Sequence, residues 1–175
     1  KTLIAIIIIG IISSSYPFWL RNIPTIKIFL ISVTWTITTV ILLVIENNLK
    51  LESYVMLEIL SRFFFVFAIT IPFDIRDVKH DLKTLKTIPQ LVGVKKSKII
   101  SLVSLSVFLG INILQVYIKH IEVLILSALI ITTIISAIFI NMSNTRRSDF
   151  FFGFWVEGLS ALLFITLLLA NQLRY

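Results

Sequence analysis

Three carboxylates stand at Asp74, Asp77 and Asp81, inside the stretch FDIRDVKHDLKTLKTIPQLVG that runs from Phe73 to Gly93. Their spacing of i, i+3, i+7 puts all three on one face wherever the backbone is helical. Three like charges on one face repel each other unless a cation neutralises them. Hard oxygen donors suit Mg2+, which is commonly held by one or two carboxylates together with substrate phosphates. Lys79, Lys83 and Lys86 are interleaved with the acids or follow them, within reach of the same phosphates. The pattern reads as a metal–diphosphate site. The spacing alone leaves a second reading open, a solvated loop whose acids balance its lysines and whose lysines set topology or touch anionic headgroups.

The elements that must position these groups are membrane helices. The chain has 175 residues, 58% of them hydrophobic, against roughly 45–50% in a soluble domain. The mean hydropathy is +1.03, and the apolar residues are spread along the whole length. Cysteine is absent and there are two histidines, so disulfides and thiolate sites are excluded and a His-based metal site is disfavoured. Apolar runs at 27–45, 54–73, 98–118, 121–141 and 150–170 approach the ~20 residues that a membrane span needs. Continuous runs of this kind predict helices, since lipid cannot satisfy free backbone groups and a barrel would show short alternating segments. Residues 1–15 read as the trailing part of a further helix, truncated at its start. The expected fold class is therefore all-α, a polytopic transmembrane bundle, with residues 1–175 forming one membrane domain.

The net charge of +7 has a topological reading in such a chain. Arg21, Lys27, Arg76, Lys79, Lys83, Lys86, Lys95, Lys96, Lys98, Arg146 and Arg147 all fall in or beside the first, third and fifth loops. Lys1, Lys50, Lys119 and Arg174 fall on the other side. Cytoplasmic loops carry the basic excess, so the Asp-bearing loop is expected in the cytoplasm, with both ends of the chain outside. The expected partners are membrane lipid and lipid-soluble molecules, with no nucleic acid.

The segment from Asp74 to Gly93 resembles the second Asp-rich motif of the UbiA-type intramembrane prenyltransferases. That motif reads D-x-x-D-x-x-x-D, then a basic stretch, then T-L-P and a Gly. Here Asp74, Asp77 and Asp81 are followed by Lys83, Lys86, Thr87-Ile88-Pro89 and Gly93. A second stretch, YPFWLRNIPTIKIFLIS from Tyr16 to Ser32, is similar to the family's loop with Tyr, a basic residue and Pro ahead of a helix. It lies two helices before the Asp motif, as in the family. The sequence departs from the family pattern at His80 and Leu85, where Gly is frequent.

The resemblance implies a fold of nine helices around a lateral cavity, of which this chain would be the C-terminal two-thirds. The family's first Asp-rich motif would then lie ahead of Lys1. It implies Mg2+ bound by Asp74, Asp77 and Asp81, with Asp77 and Asp81 as catalytic groups. It implies diphosphate contacts from Tyr16, Arg21, Lys83 and Lys86. The implied substrates are a polyprenyl diphosphate and a lipid-soluble, typically aromatic, acceptor, and the implied setting is a bacterial inner membrane. A catalytically silent relative that binds a lipid or partner, and a transporter-like module, are the alternatives. The transporter ranks last because we expect no Pro to interrupt a span.

Glu58, Arg62 and Glu157 fall well inside apolar runs, where such groups suggest function. Arg62 follows Glu58 by four residues, the favourable order for a helical ion pair. Glu157 has no basic residue at i±3 or i±4, and either lines a polar cavity or pairs across helices.

Overall fold

The computed structural model describes residues 10, 25–50, 52–79 and 86–173. Tyr16, Arg21, His80, Asp81, Lys83 and Leu85 lie outside the described residues, as does nearly all of the segment 1–15.

The fold is all-helical, 84% helix, with no strand among the described residues. Five helices are long and apolar enough to cross a membrane, as a multi-pass membrane protein requires. We number them α1 (Ile26–Glu46), α2 (Ser53–Asp77), α3 (Ile88–Tyr117), α4 (Val123–Met142) and α5 (Phe151–Gln172). Each packs on the next in chain order, and α2 also meets the first turn of α5. Half of the apolar window of α2 is buried, more than in any of the other four, so α2 is the central helix. Its Phe65, Val66, Ala68 and Ile69 form the main core with Leu105 and Phe108 of α3, Leu129 and Ile140 of α4, and Phe152 and Leu163 of α5. The outer faces carry exposed Val103, Ile134, Phe164 and Leu169. Apolar cover on that scale fits a lipid surround and not water.

Two apolar surfaces gain little by meeting in lipid, so membrane helices are held by close packing and interhelical hydrogen bonds. The α2–α3 seam is built this way. Ser97, Ser101, Ser104, Phe108, Asn112 and Gln115 of α3 are buried at helical spacing. Asn112 donates to the Ser61 hydroxyl at 2.8 Å, and Ser104 to the Phe64 carbonyl at 3.0 Å.

The third contact in this seam concerns Pro72. We expected no Pro to interrupt a span; Pro72 lies inside α2, and the helix continues through it. Proline has no N–H to bond the carbonyl four residues back, which here belongs to Ala68. The fully buried Ser101 hydroxyl donates to that carbonyl at 2.6 Å. With the acceptor satisfied, α2 runs on to Asp77, beyond the apolar stretch that ends at residue 73.

Helix α3 also starts earlier than its apolar run, which begins at 98. Thr87 is its N-cap, the Gln90 side chain accepts from the Thr87 N–H at 3.1 Å, and Pro89 stands in the first turn. This is a helix-start signature. Gly93, at φ 81° and ψ 159°, breaks the rod just after this first turn, in a backbone region open essentially to glycine. The loop carrying the acids is thus shorter than the expected 74–97, because both flanking helices extend into it.

Ser101→Ala should lower the free energy of unfolding by about 1–3 kcal/mol, the cost of a buried acceptor without its donor. In a Pro72→Ala background a regained N–H at position 72 takes over the Ala68 carbonyl, and the same serine substitution should cost much less. A double-mutant cycle by unfolding in mixed micelles checks this, and additive effects would exclude the coupling.

Candidate functional site

At one end of the bundle the last turn of α2 meets the start of α1 and the first turns of α5. A cavity of about 320 Å3 opens there. Lys27, Thr70, Asp74, Arg76, Asp77, Glu157 and Ser160 bring polar groups to a mostly apolar wall that includes Trp35, Ile69, Phe73 and Val156.

Asp74 and Asp77 are one helical turn apart on α2, and both face this cavity. Asp74 is buried, with 1% of its side chain exposed, and accepts a hydrogen bond from Lys27 Nζ at 3.3 Å. A carboxylate at that depth persists as an anion only beside a cation, and Lys27 reaches it from the first turn of α1. Asp77 is held by its neighbour. Arg76 Nε donates to Asp77 Oδ1 at 2.6 Å and Arg76 Nη2 to Oδ2 at 3.0 Å, a two-pronged pair. The Arg76 guanidinium also lies 5.6 Å from the Phe73 ring centre and 5.8 Å from that of Phe152. Its Nε is 3.9 Å from Asp149, at the entrance to α5.

Glu157 reaches the cavity through a local widening of α5. Residues Phe151–Val156 form a π-helical turn, and the Glu157 N–H bonds to the Phe152 carbonyl at 3.0 Å, five residues back. Such a turn accommodates one extra residue and recurs at functional sites. Glu157 and Ser160 also border a second space, an apolar groove of about 780 Å3 walled by Phe139, Phe154, Trp155 and Ile165. The stacked Phe139 and Trp155 rings, 5.4 Å apart, line it. The cavity that holds the ion pairs and the groove therefore share Glu157 and Ser160 as a border.

The site residues expected from sequence are distributed unevenly. Asp74 and Asp77 come together at the cavity. Lys86 does not line it; it is exposed, in a left-handed conformation at φ 45°, immediately before the Thr87 cap. Asp81, Lys83, Tyr16 and Arg21 lie outside the described residues. Among the described residues no group of three His, Cys, Asp or Glu could hold a metal ion. Asp74 and Asp77 instead each meet a cation of the chain, Lys27 and Arg76 respectively.

Lys27 and Arg76 read from sequence only as topological charges. A lone lysine opening an apolar helix, two spans from an acid at a helix end, is a weak signal, and pairing across 47 residues is invisible in a linear reading. Glu157 lines the same cavity as Lys27, Asp74, Arg76 and Asp77. Arg62 Nη2 lies 3.2 Å from Glu58 Oε1, the helical pair that their spacing suggested.

The fold and the site together define a multi-span helical protein with an ion-paired acidic cavity at one end of its bundle. No protein-family model, no curated protein and no solved structure matches the chain.

Lys27→Met should lower stability by about 1–3 kcal/mol, because the buried Asp74 loses its cation. Adding Asp74→Asn should recover most of that loss, since an unbalanced buried charge is what destabilises. Thermal unfolding of the single and double variants in detergent decides it; a double variant no more stable than Lys27→Met would disprove the pairing.

Proposed function

We propose that this protein transfers a prenyl group from a polyprenyl diphosphate to a small aromatic acceptor, within a bacterial inner membrane and with Mg2+ as cofactor. One observation supports this above the others. Asp74 and Asp77, at the end of a membrane helix, face a single cavity beside two cations, and that cavity borders an apolar groove. An amphipathic ligand with an anionic head and a long hydrocarbon tail has this shape. The similarity of Asp74–Gly93 to the UbiA-type motif supplies the reaction class.

In this reading Asp74 and Asp77, joined by Asp81 through the motif, would hold Mg2+, which when bound would supply positive charge against the departing diphosphate. Lys27 and Arg76 donate to phosphate oxygens, as such charge-assisted contacts do. Tyr16, Arg21, Lys83 and Lys86 enter as diphosphate contacts through the resemblance alone. The allylic C–O bond breaks with its electron pair leaving on the diphosphate. The acceptor ring forms the new C–C bond and loses a proton. The groove beside Phe139 and Trp155 holds the isoprenoid tail and keeps water from the reacting carbon. The charged end faces the cytoplasm, following the basic bias of its loops.

A silent relative that binds a lipid is the second reading. It is favoured by one feature, that Asp74 and Asp77 each already have an internal cation.

Full-length protein in native membranes should release diphosphate from one member of a panel of polyprenyl diphosphates, given Mg2+ and extracted lipid-soluble acceptors. Asp77→Ala and Asp81→Ala should each reduce that release at least a hundredfold while the protein stays inserted, about the scale on which single electrostatic groups act in catalysis. Undiminished turnover in both variants would sink the assignment. No release from any diphosphate would turn the reading to the silent lipid binder.

A further inference from the structure

We propose that the cavity between Glu58, Ser61, Arg62 and Asn112 is a hydration site, in which water accepts hydrogen bonds from Arg62 and Ser61 and donates to Glu58. The site lies towards the end of α2 opposite Asp74 and is independent of the prenyl-transfer reading.

The cavity measures about 60 Å3 and is framed by α2, α3, α4 and α5. Glu58, Ser61 and Arg62 of α2 and Asn112 of α3 bring its polar groups. Arg62 stands about 13 Å along α2 from Ser53, at the helical rise of 1.5 Å per residue. An ionisable side chain at such depth in a span faces the bundle interior or a water-filled space.

The polar groups at this place lack an acceptor. Arg62 Nη2 pairs with Glu58 Oε1 at 3.2 Å, but Arg62 Nε is buried without a hydrogen-bond partner. A buried donor left in that state is costly. Asn112 is satisfied within the chain. Its Nδ2 donates to the Ser61 hydroxyl and to the Phe108 carbonyl, both at 2.8 Å, and its Oδ1 accepts from Gln115 Nε2 at 3.5 Å. Ser61 accepts from Asn112, while its own O–H meets no acceptor among the described residues.

The opposite walls supply no acceptor side chain. Ile121 and Ile125 at the entrance to α4, and Leu163 and Leu167 of α5, are apolar. The occupant must accept from Ser61 and Arg62, fit a small space, and tolerate the Glu58 carboxylate beside it. Water meets all three conditions. It needs about 10–15 Å3 of such space, and buried waters typically make three hydrogen bonds. Two are accepted here, and the third is donated to Glu58. A small anion also accepts, but Glu58 repels it and it has no proton to donate. Water then joins the helical ion pair of α2 to the Ser61–Asn112 bond of the α2–α3 seam. Charge inside the span is satisfied with no ionic partner from α4 or α5.

The test is water-edited solid-state NMR on the uniformly 15N-labelled full-length protein in lipid bilayers, which reads polarisation passed from water to each nitrogen. The Arg62 Nε signal, identified by its loss in Arg62→Lys, should gain polarisation as fast as that of exposed Arg146. The buried Phe65 amide should gain it slowly. Ile125→Phe places a larger side chain against the cavity, and should slow transfer to Arg62 Nε while leaving Arg146 unchanged. Transfer to Arg62 Nε as slow as to the Phe65 amide in the unmodified protein would mean a dry cavity and overturn the proposal. Fast transfer that survives Ile125→Phe would place the water outside the cavity and overturn it as well. If Ile125→Phe does not fold, Leu167→Phe fills the same space from α5 and is read in the same way. A shift of the Arg62 Nε signal on titration with chloride would overturn water in favour of an anion.

Discussion

Pro72 brings no N–H to the carbonyl of Ala68, and Ser101 of the neighbouring helix supplies the missing donor at 2.6 Å. Much of the charged end depends on that exchange. In lipid an unsatisfied backbone carbonyl costs several kcal/mol, so a proline in mid-span normally kinks or ends its helix. Here the partner helix satisfies the acceptor, and α2 continues past Pro72 far enough to carry Asp74 and Asp77 to the cavity. The same contact is one rung of the Ser101, Ser104 and Asn112 ladder that joins α2 to α3. Backbone repair and helix association are a single arrangement.

Charge is handled by the same rule of local satisfaction. Each ionisable group with a described ion pair near the core meets an opposite charge, Asp74 with Lys27, Asp77 with Arg76, Arg62 with Glu58. The three pairs differ in reach. Glu58 and Arg62 share one helix and need no tertiary structure to meet. Lys27 and Asp74 join α1 to α2 across the chain. Arg76 lies between two carboxylates, Asp77 on its own helix and Asp149 at the entrance to α5. The π-helical turn of α5 belongs to the same end, bringing Glu157 to the border between the ion-paired cavity and the apolar groove.

The helical class and the number and order of the five described spans were legible in the apolar runs, because a lipid surround demands long continuous stretches. The inner ends of α2 and α3 were not. A hydropathy run stops where charge begins, but a helix stops where its hydrogen bonds stop. Asp74 and Asp77 stay helical because partners neutralise them, and α3 starts early because Thr87, Pro89 and Gln90 form a start signal that an apolar count overlooks. Of the site, the two acids were legible by type and spacing, and the Glu58–Arg62 pair by its offset of four. Lys27 and Arg76 were not, since nothing in a linear sequence separates a cation that biases topology from one that neutralises a buried acid.

By itself, then, the sequence determined that this chain is built of membrane-length helices, that most of its basic residues gather at one end, and that Asp74 and Asp77 share a helix face. Those properties follow from hydropathy and helical periodicity, which act locally. Tertiary structure alone decided that Ser101 makes good the loss at Pro72, that Lys27 covers Asp74, and that Arg76 reaches both Asp77 and Asp149. It also decided that the acidic cavity borders an apolar groove. Each of these depends on which helix lies beside which, and that is settled by packing across distant segments.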